Sequence, residues 1–462
     1  MLVLGTYKVL TRFGPRSPQR LQNCVEMECV VQLKSSLIYD AAAVGQWCCS
    51  GDGAGVVRSG TPSVYNWLLA CAGSAALFNN FEERGERMDW FEYGVLFVVA
   101  AVVTIALTPL ARKLAIKLDA IDYPSARRVN MLPIPRMGGV AIFGGILAAL
   151  AVAAIGVGAF GWKNPFIDYG GIDVNYWGVL AGVVLMFLVG AVDDVVDLSP
   201  KTKMAGQIVA ACIVAGSGLL FSSIHNPVGE GFIEFGWVAY PLTVFYLVAF
   251  ANVINLIDGL DGLASGITGI SAITILMFAI HTGRLDAALF AVILVGACIG
   301  FLKSNFFPAS IFMGDSGALL LGFSLGIISL FAVARSALFV SLLVPILAAG
   351  VPILDTFFAI VRRKREHRPI DEADKGHIHH RLMRAGFSQR ATVLIMWAWT
   401  ALLAACGVII TWADNLVRIP IFIFACAVTA YAIVKLRLLG DALSHHFNPR
   451  RKPERPNNDQ NE

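Results

Sequence analysis

Charge is scarce in this chain. Only 15% of its 462 residues are Asp, Glu, Lys or Arg, 57% are hydrophobic, and the mean hydropathy is +0.69. A soluble domain of this length carries about a quarter charged residues, so that class is excluded. Metal-ligand cysteine spacing is missing too. Of nine cysteines, Cys24, Cys29, Cys48, Cys49 and Cys71 precede residue 88, and only Cys48 and Cys49 are close in sequence. Cys212, Cys298, Cys406 and Cys426 fall inside apolar runs as small hydrophobes, so neither disulfides nor zinc are inferred. The N-terminal MLVLGTYKVLTRFGPRSPQR lacks the compact apolar core of a cleaved signal. No internal repeat and no long polar domain interrupt the apolar runs, and no nucleic-acid partner is expected.

What is present is a series of stretches long enough to cross about 30 Å of hydrocarbon. They lie near residues 91–111, 138–160, 176–192, 204–222, 235–251, 264–280, 286–302, 318–334, 337–360, 392–412 and 417–436. The fold class is therefore all-α, a polytopic integral membrane protein of about 11 transmembrane helices. Positive charge alternates between successive loops. Arg112, Lys113, Lys117, Arg127, Arg128 and Arg136 share one loop, the next around Lys163 is nearly bare, and basic groups return at Lys201 and Lys203, at 362–390 and at 450–455. Under the positive-inside rule the N-terminus lies outside, and the C-terminus and basic loops are cytoplasmic. Residues 1–87 differ in composition and read as an upstream extension of doubtful expression, disordered, with the working chain starting at Met88. Residues 88–440 form the membrane domain and 441–462 a disordered cytoplasmic tail.

The polar residues inside this apolar background carry the chemistry. One run ends in GAVDDVVDLSP, with Asp193, Asp194 and Asp197 together. Each Asp at a helix centre costs roughly 2.5–3.5 kcal/mol on an insertion scale, so three together belong at the mouth of a helix. They read as a site at the membrane surface or as a solvated helix end. Asp193 and Asp197 share a face if the helix persists, and the neighbouring lysines favour phosphate handling over a proton wire. In ANVINLIDGLDGLASG, Asn252, Asn255 and Asp258 recur every three residues, ahead of Asp261. They suit recognition of a base or sugar; interhelical polar glue accounts for one Asn more readily than for the set. Asn305 closes a span, and Gly314, Asp315, Ser316 and Gly317 open the next; Asp315 is a Mg²⁺ ligand or an N-cap. The basic loop contains HIHHR, in which His377, His379, His380 and Arg381 favour phosphate contact over zinc. Arg136 and its neighbours Arg127 and Arg128 are positive-inside anchors or a phosphate clamp.

Taken in order, DYPSARRVNMLPIPRMGG, DDVVD, NVINLIDGLDGLASG, FMGDSGALLLG and HIHHRL resemble the polyprenyl-phosphate N-acetylhexosamine-1-phosphate transferases. The likeness extends over Met88 to about Gly440, and the His motif resembles the branch that moves GlcNAc 1-phosphate for cell-surface polysaccharides. Asn130 stands where a His before PIPR is usual. The resemblance implies transfer of GlcNAc 1-phosphate, or of a related N-acetylhexosamine 1-phosphate, from the UDP-sugar to undecaprenyl phosphate with release of UMP. It assigns Mg²⁺, with Mn²⁺ as the alternative, to Asp315. Asp193 and Asp194 meet the lipid phosphate; Asp197 is given no role by the resemblance and, one turn on, is left to orient Lys201 or Lys203. Asn255, Asp258, Asp261, Asn305 and Phe312 bind the nucleotide, Phe312 by stacking on uracil. His379 and His380 lie near the diphosphate, with His377, Arg381 and Arg136 contacting substrate. A bacterial inner membrane location with a cytoplasmic active site, and a homodimer, complete the expectations.

Two other classes compete. An intramembrane prenyltransferase would use DDVVD for an allylic diphosphate but needs a second acidic motif, where this chain has amides. A secondary transporter would place its ionisable groups near the midplane of repeated halves. The topology has a direct check: a Ser388→Cys variant in intact cells should resist a membrane-impermeant thiol reagent, and efficient labelling from outside would overturn the orientation.

Overall fold

The computed structural model describes residues 88–123, 133–166, 174–225, 232–333, 343–365 and 376–436. The expectations for residues 1–87 and 441–462, and for Arg127, Arg128 and Asn130, lie outside the described residues. The architecture is all-α and membrane-spanning. In chain order come α1 (Trp90–Lys117), a short ribbon of β1 (Ile121–Asp122) and β2 (Ile134–Pro135), α2 (Gly139–Ala159), α3 (Tyr176–Val196) and α4 (Pro200–Gly216). A second ribbon, β3 (Ser223–His225) with β4 (Phe232–Glu234), leads through a turn of 3₁₀-helix into α5 (Ala239–Ile257). Then follow α6 (Leu263–His281), α7 (Leu285–Asn305), α8 (Gly314–Val333), α9 (Leu343–Ala348), α10 (Gly350–Arg365), α11 (Ile378–Arg384), α12 (Gln389–Trp412) and α13 (Asn415–Lys435).

Nine helices among the described residues are long and apolar enough to span a membrane. Two expected spans differ. The run near 204–222 yields α4, with only 17 residues, and the run at 337–360 is broken at Ala349 into α9 and α10. Pro352, three residues past the break, has no N–H for a continuous ladder.

Burial is graded across the bundle. Of an 18-residue window, 94% is buried in α8, 83% in α7 and 72% in α6, but 28% in α1 and 6% in α13. A helix apolar all round belongs in the interior of such a bundle. Accordingly α8 packs against α2, α3, α5, α6 and α7. Close approach is made by small residues: a Cβ on Gly190 of α3 would lie 2.4 Å from the carbonyl oxygen of Asp315. In a membrane, where no hydrophobic force drives helices together, such backbone proximity supplies the packing.

The two ends of the bundle differ chemically. Exposed Trp90, Trp177, Trp237 and Trp412 mark the starts of α1, α3 and α5 and the end of α12, which lie at one end, as in an interfacial aromatic belt. Near that end a buried Asp286 accepts two hydrogen bonds from Arg284. An apolar cavity of about 680 Å³ lies between α2, α3, α7 and α8, lined by residues such as Leu150, Leu180, Ile293 and Ile327. The carboxylates of the motifs lie at the other end. Gly190→Ala should force α3 from α8 and lower stability by about 1–3 kcal/mol; an unchanged unfolding temperature in detergent would contradict this close packing.

Candidate active site

The site begins where α3 stops. Asp193 and Asp194 are the fourth- and third-last residues of the helix and are both buried. Asp197 is its C-cap with φ of 50°, a left-handed conformation, so the helix does not persist and Asp193 and Asp197 do not share a face. The three acids take separate directions. Asp197 pairs with Arg136 at 2.5 Å, while the Arg136 Nε donates to the Asp194 carbonyl at 3.2 Å. This corrects the expectation that Asp197 orients a lysine. It also leaves DDVVD without the convergent carboxylates that a prenyl-diphosphate site requires.

Asp194 reaches across to α8. Its two carboxylate oxygens accept the backbone N–H groups of Asp315, at 2.7 Å, and Ser316, at 3.0 Å. An anion at the first turn of a helix satisfies orphan donors and meets the positive end of the dipole. Gly314 precedes it with φ of +70°, and a Cβ there would come within 2.5 Å of the Asp194 carboxylate. The cap is therefore Asp194, leaving the side chain of Asp315 free to turn elsewhere.

Lys203 is where that side chain goes. It lies in the first turn of α4, which opens with Pro200 and a cap in which Ser199 Oγ accepts the Thr202 N–H at 3.3 Å. Its Nζ donates to Asp315 and to Asp193, the latter at 3.0 Å. The other Asp193 oxygen accepts the Leu198 N–H at 2.7 Å, and the other Asp315 oxygen accepts Asn255 Nδ2 at 2.7 Å. In the sequence Lys203 stands only as a basic neighbour of the acids, with nothing to mark it as the group that joins Asp193 to Asp315. Its signal was only its place three residues after a helix restart beside acids.

The amide-rich segment divides. Asn252 bonds Gln207 of α4 at 2.6 Å, which is interhelical glue, while Asn255 one turn on faces Asp315. Asp258 caps the end of α5, half-buried; its burial, with Asp315, Asp194 and Asp261 nearby, pushes its pKa up to about 8. Asp261 accepts the Ala309 N–H at 2.9 Å, and its pKa is raised by burial against that bond. Asn305 is a clamp: its oxygen accepts the Gly262 N–H at 3.1 Å and its amide donates to the Ile311 carbonyl at 3.1 Å. Phe312 has a half-buried side chain, and its backbone pairs with the Arg136 segment through Pro135, at 2.8 Å, and Gly138, at 2.9 Å.

The His segment closes the constellation. His379 is buried, and its Nε2 would meet a Cβ on Gly259 at 2.7 Å, which sets it against the turn carrying Asp258 and Asp261. Burial lowers its pKa to about 3, so the ring is neutral. His380 packs on it at 4.3 Å between centroids, and Arg381 Nε donates to the Gly376 carbonyl at 2.9 Å. His377 bonds Asp355, a residue the motifs did not include, at 2.9 Å. A lone Asp in an apolar run was its signal.

Among the described residues no three His, Cys, Asp or Glu side chains form a ready metal cage. The donors do fit a hard divalent cation. Asp193 and Asp315 direct carboxylate oxygens to one point, where the Lys203 ammonium lies. Mg²⁺ is commonly held by one or two carboxylates, with water and substrate phosphates completing its shell.

A model of glycosyl transferase family 4 matches residues 176–333, a segment that includes the acids of α3, the Asn255 segment and Asp315. A Bacillus subtilis protein named "Probable undecaprenyl-phosphate N-acetylglucosaminyl 1-phosphate transferase" is 37% identical over 303 residues, 66% of this chain and 80% of that protein. A decaprenyl-phosphate N-acetylglucosaminephosphotransferase of Mycobacterium tuberculosis is 36% identical over 343 residues, 70% of this chain and 83% of its own. An undecaprenyl-phosphate alpha-N-acetylglucosaminyl 1-phosphate transferase of Yersinia pestis is 29% identical over 338 residues, 71% and 88% of the two chains.

Lys203→Met removes the cation between two carboxylates. The loss should approach about 3 kcal/mol, as for a broken buried pair, with a lower unfolding temperature that MgCl₂ raises more than in the parent protein. An unchanged unfolding temperature would show that the ammonium does not hold the acids together.

Proposed function

This chain belongs to glycosyl transferase family 4, and from that premise we propose that it transfers N-acetylglucosamine 1-phosphate from a UDP-sugar to undecaprenyl phosphate. An oxygen of the lipid phosphate attacks the sugar-bearing phosphorus of the donor. The bond from that phosphorus to the bridging oxygen breaks, UMP departs, and a polyprenyl diphosphate-sugar remains. The supporting observation is the convergence of Asp193, Asp315 and Lys203 at the mouth of an apolar bundle, with Arg136 beside them. The donor is polar and the acceptor lipid lies in the bilayer, so only a site at a helix mouth admits both.

Both reactants are anionic, and the chain's own residues serve positioning and charge balance. Lys203 and Arg136 lower the cost of bringing two phosphates together. Asp193 would accept a proton from, or orient, the acceptor phosphate. Asn255 holds Asp315 in its rotamer. The neutral imidazole of His379 offers a hydrogen bond without adding charge, beside the turn of Asp258 and Asp261. Mg²⁺ held by Asp315, with Asp193 close by, would neutralise developing charge on the diphosphate. The basic loops support a cytoplasmic face for this end of the bundle, and the bacterial relatives support a bacterial cell membrane.

Purified protein with Mg²⁺, undecaprenyl phosphate and a panel of UDP-N-acetyl sugars should release UMP only when lipid and the UDP-GlcNAc type of donor are both present. Release without lipid, or none with any donor, would overturn the assignment. Asp315→Ala should lower turnover by about 10²–10³-fold and abolish Mg²⁺ dependence. Asp193→Asn should lose turnover yet retain nucleotide affinity.

A further inference from the structure

Asp355 is a carboxylate in a place that disfavours one. It lies in α10, past the break at Ala349, with only 3% of its surface exposed. On the same helix Val351, Pro352 and Ala359 are buried, as are Arg362 and Arg363 two turns past Asp355. A carboxylate taken from water is tolerated when its lone pairs are used, and both oxygens of Asp355 are. One accepts the backbone N–H of Ile378 at 2.8 Å; the other lies 2.9 Å from His377 Nδ1. A carboxylate oxygen that accepts at this place selects the His377 tautomer with its proton on Nδ1.

Those two bonds act on a small, strategic element. Ile378 opens the seven-residue α11, which is too short to hold its own geometry. His377 precedes it, and its ring lies parallel to that of His379, 5.7 Å away and inclined by only 4°. His379 in turn rests on Gly259 between Asp258 and Asp261. A chain of contacts therefore runs from Asp355 through His377 to the imidazole beside the acidic turn.

We propose that Asp355 is a positioning residue of the transferase: it fixes the Nδ1–H tautomer of His377 and anchors α11, so that His379 and His380 meet the diphosphate in one orientation. The assignment rests on the reading of these imidazoles as diphosphate contacts. Asp355 touches no reacting atom. Its effect passes through His377, as an orienting carboxylate acts through a ligating or catalytic imidazole elsewhere.

The test combines a spectroscopic and a kinetic measurement on the full-length protein in lipid nanodiscs. With ¹⁵N-labelled histidine, and His377→Asn to identify the signal, His377 should show the Nδ1–H tautomer, and Asp355→Asn should change it. An Nε2–H tautomer in the parent protein overturns the proposal whatever reaction the enzyme performs. Kinetically, Asp355→Asn should keep its unfolding temperature within a few degrees and lose about ten- to hundredfold in kcat. KM for the UDP-sugar should change much less, and Asp355→Glu should recover part of the rate. The double variant Asp355→Asn/His377→Asn should be no slower than the slower single one, because both act along one path. Unchanged kcat, a loss matched by loss of folded protein, or additive effects would each overturn the positioning role. Absence of UMP release by the parent protein would instead refute the transfer reading, and the tautomer measurement would still decide on Asp355.

Discussion

The bond from Asp194 to the first backbone amides of α8 is the constraint on which the site depends. Hydrogen bonds to a charged acceptor contribute roughly 1.5–3 kcal/mol each, and these two tie the end of one span to the start of the most buried one. Because Asp194 serves as the cap, Asp315 need not. Its side chain is released toward Lys203 and Asn255, and Asp193, the preceding residue of α3, is brought to the same ammonium. Gly190, one turn back, permits the approach.

Around that joint, residues that look like independent ligand binders support one another. Arg136 holds the end of α3, the Phe312 backbone stitches the Arg136 segment to the start of α8, and Asn305 clamps the turn after α5. A functional constellation needs such support to hold its geometry. Loops connecting different spans are thereby fixed by hydrogen bonds together with the burial of Leu260, Ile311 and Met313 in the core.

The spans and the motifs bearing Asp193, Asn255, Asp315 and His379 were legible because ionisable residues are rare and costly in apolar runs. Individual partners were less so. Asp197 was misread because periodicity assumes a continuing helix, whereas its left-handed backbone ends one. Asn252 and Asn255 share a helical face in sequence, yet one meets Gln207 and the other Asp315, since different neighbours pack along that face. Lys203 resembles any juxtamembrane lysine until α4 folds back beside α3. Asp355 lay in the run read as the ninth span, and only the fold returns the His segment to it. The break at Ala349 was invisible to a hydropathy window, which counts apolar residues and not hydrogen bonds.

Lys203 has a consequence for biogenesis. A site built only from carboxylates would repel itself as its helices assembled in the membrane, and would need its metal as glue, as small zinc domains do. Here a lysine from the adjacent helix joins Asp193 to Asp315, and backbone amides receive Asp194. The attraction that joins the two helix ends is thus written into the chain itself, in an ammonium and two backbone amides.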